Sequence, residues 1–269
     1  MTAKELYRAG KLKEAVLALN AEVRDNPTDA KRRTFLFELL CFSGDFDRAE
    51  KQLHVLSQDS GEAQLATVLY LSALHAERTR QDLFQKRDFP THPGDDASVL
   101  SGVINGQPFQ EISDADPRIG PRLEVFAAGA YLWIPFKHVE SIEMEAPKKL
   151  RDLFWIPALV RTGPAFKAME LGEVLLPALT VFACKNEDDS VRLGRTTIWD
   201  VPTGEDPSRD REGATDAIPN RDIPSRDREG ATDAIPLGQK MFLVDGEEFP
   251  ILEVRKIEFH HPEIEAAAD

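Results

Sequence analysis

Asp114 and Asp116, separated by one alanine, are the carboxylate pair best spaced for chemistry. Two such groups can share acid and base roles or hold a divalent ion. They stand just before Pro117-Arg118-Ile119-Gly120-Pro121, a turn-rich connection. Carboxylates beside turns more often accept from backbone N–H groups or pair with a nearby arginine. No nucleophile or base pattern accompanies them, so a structural role is favoured and a metal-dependent hydrolase using Asp114 and Asp116 is kept as an alternative. The six histidines are His54, His75, His92, His138, His260 and His261, and none sits in H-E-x-x-H or comparable metal-ligand spacing. His260 and His261 are adjacent, so in a strand they point to opposite faces. The two cysteines, Cys41 and Cys184, form no C-x-x-C pair. Cys41 lies in the apolar run from Phe35 to Phe42 and reads as a core residue, and two isolated cysteines fit a reducing compartment. No phosphate-cradling glycine loop and no G-x-S-x-G elbow occur. Trp133, Phe136, Phe154 and Trp155 lie in apolar segments without dense basic interleaving, which predicts core packing over base stacking. The residues therefore predict a noncatalytic protein with no cofactor and no metal site.

The bulk composition agrees with a protein-binding role. The chain has 269 residues, 42% hydrophobic and 30% charged, with a formal net charge of -14. That is enough length for two modest domains and enough apolar content for a true core. The negative field opposes nonspecific binding to nucleic acid or to anionic membranes. Met1 to Lys13 is charged and amphipathic without an apolar signal core, and no run reaches the roughly 20 apolar residues of a membrane span. A cytoplasmic protein is expected.

Residues 1–86 carry helical periodicity, with Leu12, Ala15, Val16, Leu19 and Val23 as one clear apolar face. Breaks fall at Asn26-Pro27, Ser43-Gly44-Asp45 and Asp59-Ser60-Gly61. Gly10 and Gly44 are 34 residues apart, as are Leu12 and Phe46, Ala15 and Ala49, and Leu19 and Leu53. A 34-residue period with glycine at the turn and alanine five residues later resembles tetratricopeptide (TPR) repeats. The resemblance departs at Gly61, where the next repeat would start with proline, and in the missing tryptophan of the first helix. About two and a half copies are present, fewer than the three usually needed for independent stability, so the helices are expected to lean on the rest of the chain.

From Val103 the texture changes to short strands and turns. Asn105-Gly106 and Asp245-Gly246 are hairpin dipeptides between apolar residues. Strand candidates include Leu123–Phe126, Tyr131–Phe136, His138–Met144, Leu175–Ala183, Met241–Val244 and Ile251–Phe259. Their spacing predicts a curled sheet or small barrel. The sequence PSRDREGATDAIP at 207–219 recurs letter for letter at 224–236, an offset of 17 residues. Charged and rich in Pro and Gly, the run 207–236 is expected to be a disordered surface insertion. The reading is an α+β chain: a TPR-like α-α repeat region at 1–86, a linker at 87–102, a β-rich, barrel-like domain at 103–259 carrying that insertion, and a tail at 260–269.

In TPR arrays the first helix of each repeat lines a concave face. Carrying that register over places Lys4, Tyr7 and Arg8 on the groove, followed by Lys31, Thr34 and Glu38, then Leu65, Val68 and Ser72. Basic, aromatic and apolar groups together suit an amphipathic helix docking in a groove.

A second resemblance covers most of the chain outside 207–236. Asn105-Gly106-Gln107-Pro108-Phe109, the run from Asp114 to Pro121, Trp133-Ile134-Pro135-Phe136, and the run from Leu150 to Ala158 carry it. So do the runs from Leu237 to Gly246 and from Leu252 to Phe259. In order, these resemble the ImpE/TagJ family (SciE type). The resemblance implies an accessory protein of bacterial type VI secretion. It further implies binding to a helix of the small sheath subunit and help in recycling the sheath by a ClpV-type ATPase. No catalytic residue is implied. A general TPR-type binding scaffold outside secretion is the alternative.

Overall fold

The computed structural model describes residues 1–57, 61–90, 100–163, 171–200 and 234–261. Five helices come first: α1 Ala3–Arg8, α2 Leu12–Asp25, α3 Ala30–Phe42, α4 Phe46–Leu56 and α5 Gly61–Lys86. Local chemistry starts them. Thr2 and Glu5 form a reciprocal capping box at α1, and the Asp29 side chain accepts from the Arg32 N–H at α3. The first turn of α2 lacks a side-chain cap of its own; Asp189, far along the chain, accepts from the Lys13 N–H at 3.2 Å. Gly10 (φ +77°) and Gly44 (φ +73°) make the tight turns into α2 and α4 in a backbone region that disfavours side chains. Gly44 is also needed for closeness: a Cβ there would stand 2.9 Å from the Cys184 Sγ. The apolar face of α2 is buried, and α4 buries Phe46, Ala49 and Leu53, the residues that follow Leu12, Ala15 and Leu19 by 34 positions.

The strands are β1 Gly102–Ile104, β2 Gln107–Phe109, β3 Ile112–Asp114, β4 Arg122–Ala127, β5 Ala130–Pro135, β6 Val139–Met144, β7 Trp155–Thr162 and β8 Gly172–Pro177. After a one-turn helix, α6 Asp189–Arg192, come β9 Ile198–Asp200, β10 Ile235–Leu237, β11 Met241–Val244, β12 Glu247–Pro250 and β13 Lys256–Phe259. Eight strands form one sheet in the order β2-β1-β13-β6-β7-β8-β4-β5. A second sheet runs β12-β11-β3 and a third pairs β10 with β9. Asn105-Gly106 and Asp245-Gly246 turn two hairpins with both residues at positive φ, the geometry that matches strand twist.

The large sheet is open, with β2 and β5 at its edges, and this corrects the small-barrel expectation. Both faces of an open sheet must be covered, and here each has its own core. Toward the helices, Phe126, Tyr131, Trp133, Trp155 and Leu175 join the apolar faces of α2 to α5. On the other side, Leu123, Val125, Ile134, Ile142, Ile156 and Val160 pack with Ile112 and Phe242 of the three-stranded sheet. The helical and β-rich parts thus share a core. Aromatic contacts cross the seam: Phe37 and Tyr70 against Trp155, and Phe42 and Phe46 against Phe154.

Three strand expectations shift in detail. The run His138–Met144 begins with a 3-10 turn through His138, Leu175–Ala183 leaves strand form after Pro177, and Ile251–Phe259 is broken by a 3-10 turn at Ile251–Glu253. Of the duplicated run 207–236, Ala234, Ile235 and Pro236 are described: Ala234 is buried, and Ile235 and Pro236 belong to β10, paired with Asp200 and Trp199. The rest of that run, His92 with the centre of the 87–102 linker, and residues 262–269 of the tail lie outside the described residues. Within the linker, Phe89 stacks on Trp133 at 5.6 Å and Leu100 is buried.

Candidate functional site

The aspartate pair is built into the seam. The Lys240 ammonium lies between Asp114 of β3 and Glu124 of β4, contacting both carboxylates. Glu124 also accepts from Arg80 of α5 at 2.7 and 3.0 Å and from the Tyr131 hydroxyl at 2.5 Å. Arg80 further donates to the Leu179 carbonyl at 3.1 Å and faces Glu77. All five charged side chains in this cluster are at most 4% exposed. Burial opposes the ionisation of Glu124, but Arg80 and Lys240 outweigh it and hold its carboxyl down to about 2. Burial raises Asp114 to about 7 against the pull of Lys240.

Asp116 turns away from this cluster. It accepts from the Arg118 N–H at 3.0 Å and from the Arg118 guanidinium at 2.8 and 2.5 Å, while its own N–H donates to Asp114. The two carboxylates thus have different partners, Asp114 the Lys240 ammonium and Asp116 the Arg118 guanidinium. The cavity beside Arg80, about 10 Å³, has room for no more than about one water. The arrangement ties α5, β3, β4 and the residue ahead of β11 together, and Asp114 and Asp116 are both buried in it.

The other candidates for chemistry are likewise engaged in structure. Cys41 and Cys184 are buried, and burial pushes both thiols up, away from the reactive thiolate. His54 faces Glu50 at 3.7 Å, and a ring nitrogen of His261 meets the Val139 carbonyl oxygen at 2.8 Å. Among the described residues, no cluster of three or more His, Cys, Asp or Glu side chains could hold a metal ion.

The remaining surface feature is a pair of concavities on either side of one loop. The segment Pro147-Lys148-Lys149 and the 3-10 turn Leu150–Leu153 enter β7 against the exposed ends of the first helices. Asp152 fixes the loop by accepting from the Lys148 and Lys149 N–H groups at 2.9 and 2.8 Å. Arg151 lies over the Tyr70 ring at 4.9 Å and reaches Glu38 of α3 at 3.5 Å. Burial raises the Glu38 carboxyl to about 7, against the nearby Arg151.

One concavity, about 570 Å³, has Tyr7, Phe35, Leu150 and Leu153 as its apolar floor and Lys4, Arg8, Lys148 and Lys149 as its rim. No carboxylate is among its lining residues, although Lys148 also contacts Glu145 just outside. Tyr7 is held from two sides: its ring meets Phe35 edge-on at 5.9 Å, and the Arg195 guanidinium covers it at 5.1 Å while donating to the Tyr7 and Arg8 carbonyls. The second concavity, about 830 Å³, lies beyond Lys148 and Lys149 and includes Leu69, Tyr70, Phe126 and Met144.

Of the nine groove positions read from the repeat register, the structure brings Lys4, Tyr7 and Arg8 together at the first concavity. Lys31 is exposed on α3, and the Thr34 hydroxyl donates to the Ala30 carbonyl within its own helix. Glu38 is buried beneath Arg151. Leu65 and Val68 are 76% and 63% exposed and form an apolar stripe with Leu69, while Ser72 lies against Gly129 in the β4–β5 turn. The loop cations Lys148 and Lys149 were not read from the sequence, and Leu150 and Leu153 entered it only within the run that carries the family resemblance, not as surface residues. The only signal of the two lysines was a Pro-Lys-Lys run between two strand candidates, which says nothing about the face it reaches.

Comparison with known proteins bears on the family and the fold. The ImpE protein family model matches residues 106–209. The type VI secretion system accessory component TagJ of Pseudomonas aeruginosa is 30% identical over 96% of this chain and 91% of its own length. The crystal structure of protein VPA1032 from Vibrio parahaemolyticus shares the fold, with a TM-score of 0.73 at 20% identity over 97% of this chain and 98% of that one.

Proposed function

The chain belongs to the ImpE/TagJ family, and from that premise we propose that it is a noncatalytic accessory component of a type VI secretion system, an adaptor that binds a helix of the small sheath subunit. Two further parts of the reading are that it assists recycling of the sheath by a ClpV-type ATPase and that it works in the cytoplasm. Among the described residues, no helix is long and apolar enough to cross a membrane.

The observation that carries the reading is the concavity with an apolar floor of Tyr7, Phe35, Leu150 and Leu153 under a cationic rim. An amphipathic helix buries one stripe of side chains in such a groove. The two helical hairpins α1–α2 and α3–α4, offset by 34 residues, support a TPR-like reading of the scaffold that presents it. The buried state of Asp114, Asp116, Cys41 and Cys184 supports the absence of catalysis.

The test is co-purification from native cytosol with the full-length chain as bait. Recovery of the small sheath subunit, lost on combined charge reversal at Lys4, Arg8 and Lys31, is the expected result. Recovery of neither the sheath subunit nor a ClpV-type ATPase, from cells that make both, would replace this reading with a general TPR-type scaffold.

A further inference from the structure

We propose that the concavity at Tyr7 selects its partner by charge, taking an amphipathic helix whose apolar stripe is flanked by aspartate or glutamate and rejecting one flanked by lysine or arginine. The inference rests on the adaptor reading in taking a helix as the occupant; the charge rule comes from the geometry alone.

The whole chain carries a formal charge of -14, so at long range it repels acidic partners. At physiological salt that field fades within about 8 Å, and contact is decided by the charges at the rim. There the sign is reversed: Lys4 and Arg8 come from α1, Lys148 and Lys149 from the loop ahead of β7, and all four border one apolar floor. Lys148 is paired with Glu145, which is not among the lining residues, so Lys4, Arg8 and Lys149 carry the net positive charge of the rim. Arg195, from the segment ahead of β9, lies outside the lining and is seated on the Tyr7 ring. Two stretches distant in sequence thus bring cations to one floor in a strongly acidic chain. The apolar floor supplies affinity for any amphipathic helix, and the rim supplies discrimination, because a cationic flank would face like charge and an acidic flank would meet opposite charge.

The experiment presents the full-length chain with a displayed library of peptides, each about 18 residues long with fixed apolar positions at i, i+3, i+4 and i+7 and free choice of Asp, Lys or Ser at the flanks. Enrichment of Asp at the flanks is expected. A selected Asp-flanked peptide, followed by fluorescence anisotropy, should lose roughly tenfold in affinity between 0.05 and 0.5 M salt and a similar factor in Lys148→Glu/Lys149→Glu. These side chains are exposed, so the variant should keep the parent melting curve. Flanks without charge bias, Lys-rich flanks, or no binders at all would overturn the inference.

Sheath-subunit recovery, scored separately, distinguishes the two readings. If acidic peptides bind but the sheath subunit is not recovered, the adaptor reading fails and the charge rule stands. If the sheath subunit is recovered equally by parent and Lys148→Glu/Lys149→Glu, the adaptor reading stands and the charge rule fails.

Discussion

Arg80 of α5 and Glu124 of β4 meet through two hydrogen bonds, at 2.7 and 3.0 Å, with side chains 2% and 0% exposed. This buried pair, extended by Lys240 and Asp114, fastens the helices to the sheet at the centre of the shared core.

Removing one partner of a buried pair leaves the other charge without compensation. Arg80→Ala is expected to lower stability by about 3–5 kcal/mol. Urea unfolding followed by circular dichroism checks this. A fall in the midpoint with unchanged slope is expected, with helical and sheet signals lost together. Separate transitions for the two signals would show that the seam does not couple them.

Glu38 gives a pH dependence of defined sign. Burial raises its folded carboxyl to about 7, above the ordinary value of 4.5. Between those values the folded state holds the proton more tightly than the unfolded chain does. The stability contribution of Glu38 is therefore complete below pH 4.5 and is lost as pH rises through 7. Glu38→Gln cannot titrate, so relative to it the parent should lose stability on the order of 3 kcal/mol from pH 4.5 to 8. Denaturation of both proteins across that range measures the difference; a parallel pair of curves would rule out the shift.

Gly44 and Gly106 separate backbone strain from crowding. Both have positive φ, but a Cβ at Gly44 meets the Cys184 Sγ at 2.9 Å whereas one at Gly106 meets nothing within 4 Å. Gly106→Ala is expected to cost about 1 kcal/mol from backbone conformation alone, and Gly44→Ala roughly 2–3 kcal/mol. Thermal melts of the two variants give the comparison. Equal losses would mean that the Cys184 contact relaxes without penalty.

Arg195 holds Tyr7 from outside the helices. Arg195→Ala removes two hydrogen bonds to the end of α1 and the cation over the Tyr7 ring. A stability loss of about 1 kcal/mol is expected. Binding of an acid-flanked peptide should weaken several-fold, since the support of the Tyr7 floor is lost. Anisotropy titration beside urea unfolding reads both quantities.

The features legible in the sequence are those set by neighbours along the chain. The glycine turns at Gly10 and Gly44, the buried face of α2 and the Asn-Gly and Asp-Gly hairpins all follow from residues a few positions apart. What only the tertiary structure decided depends on residues brought together across long separations. β13 enters between β1 and β6, so the sheet order, and with it the open edges, could not be read from strand spacing. Asp114 reads as a chemical candidate until Lys240 is seen against it. Glu38 reads as a groove residue until Arg151 covers it, and Lys148 and Lys149 gain a place only when the fold sets them beside Tyr7. Hydrophobic and turn patterns act over one or two turns of chain, whereas charge compensation acts through space. The sequence alone therefore determined the first helices and the hairpin turns, and the packing of the elements decided which charges are buried and which remain at the rim.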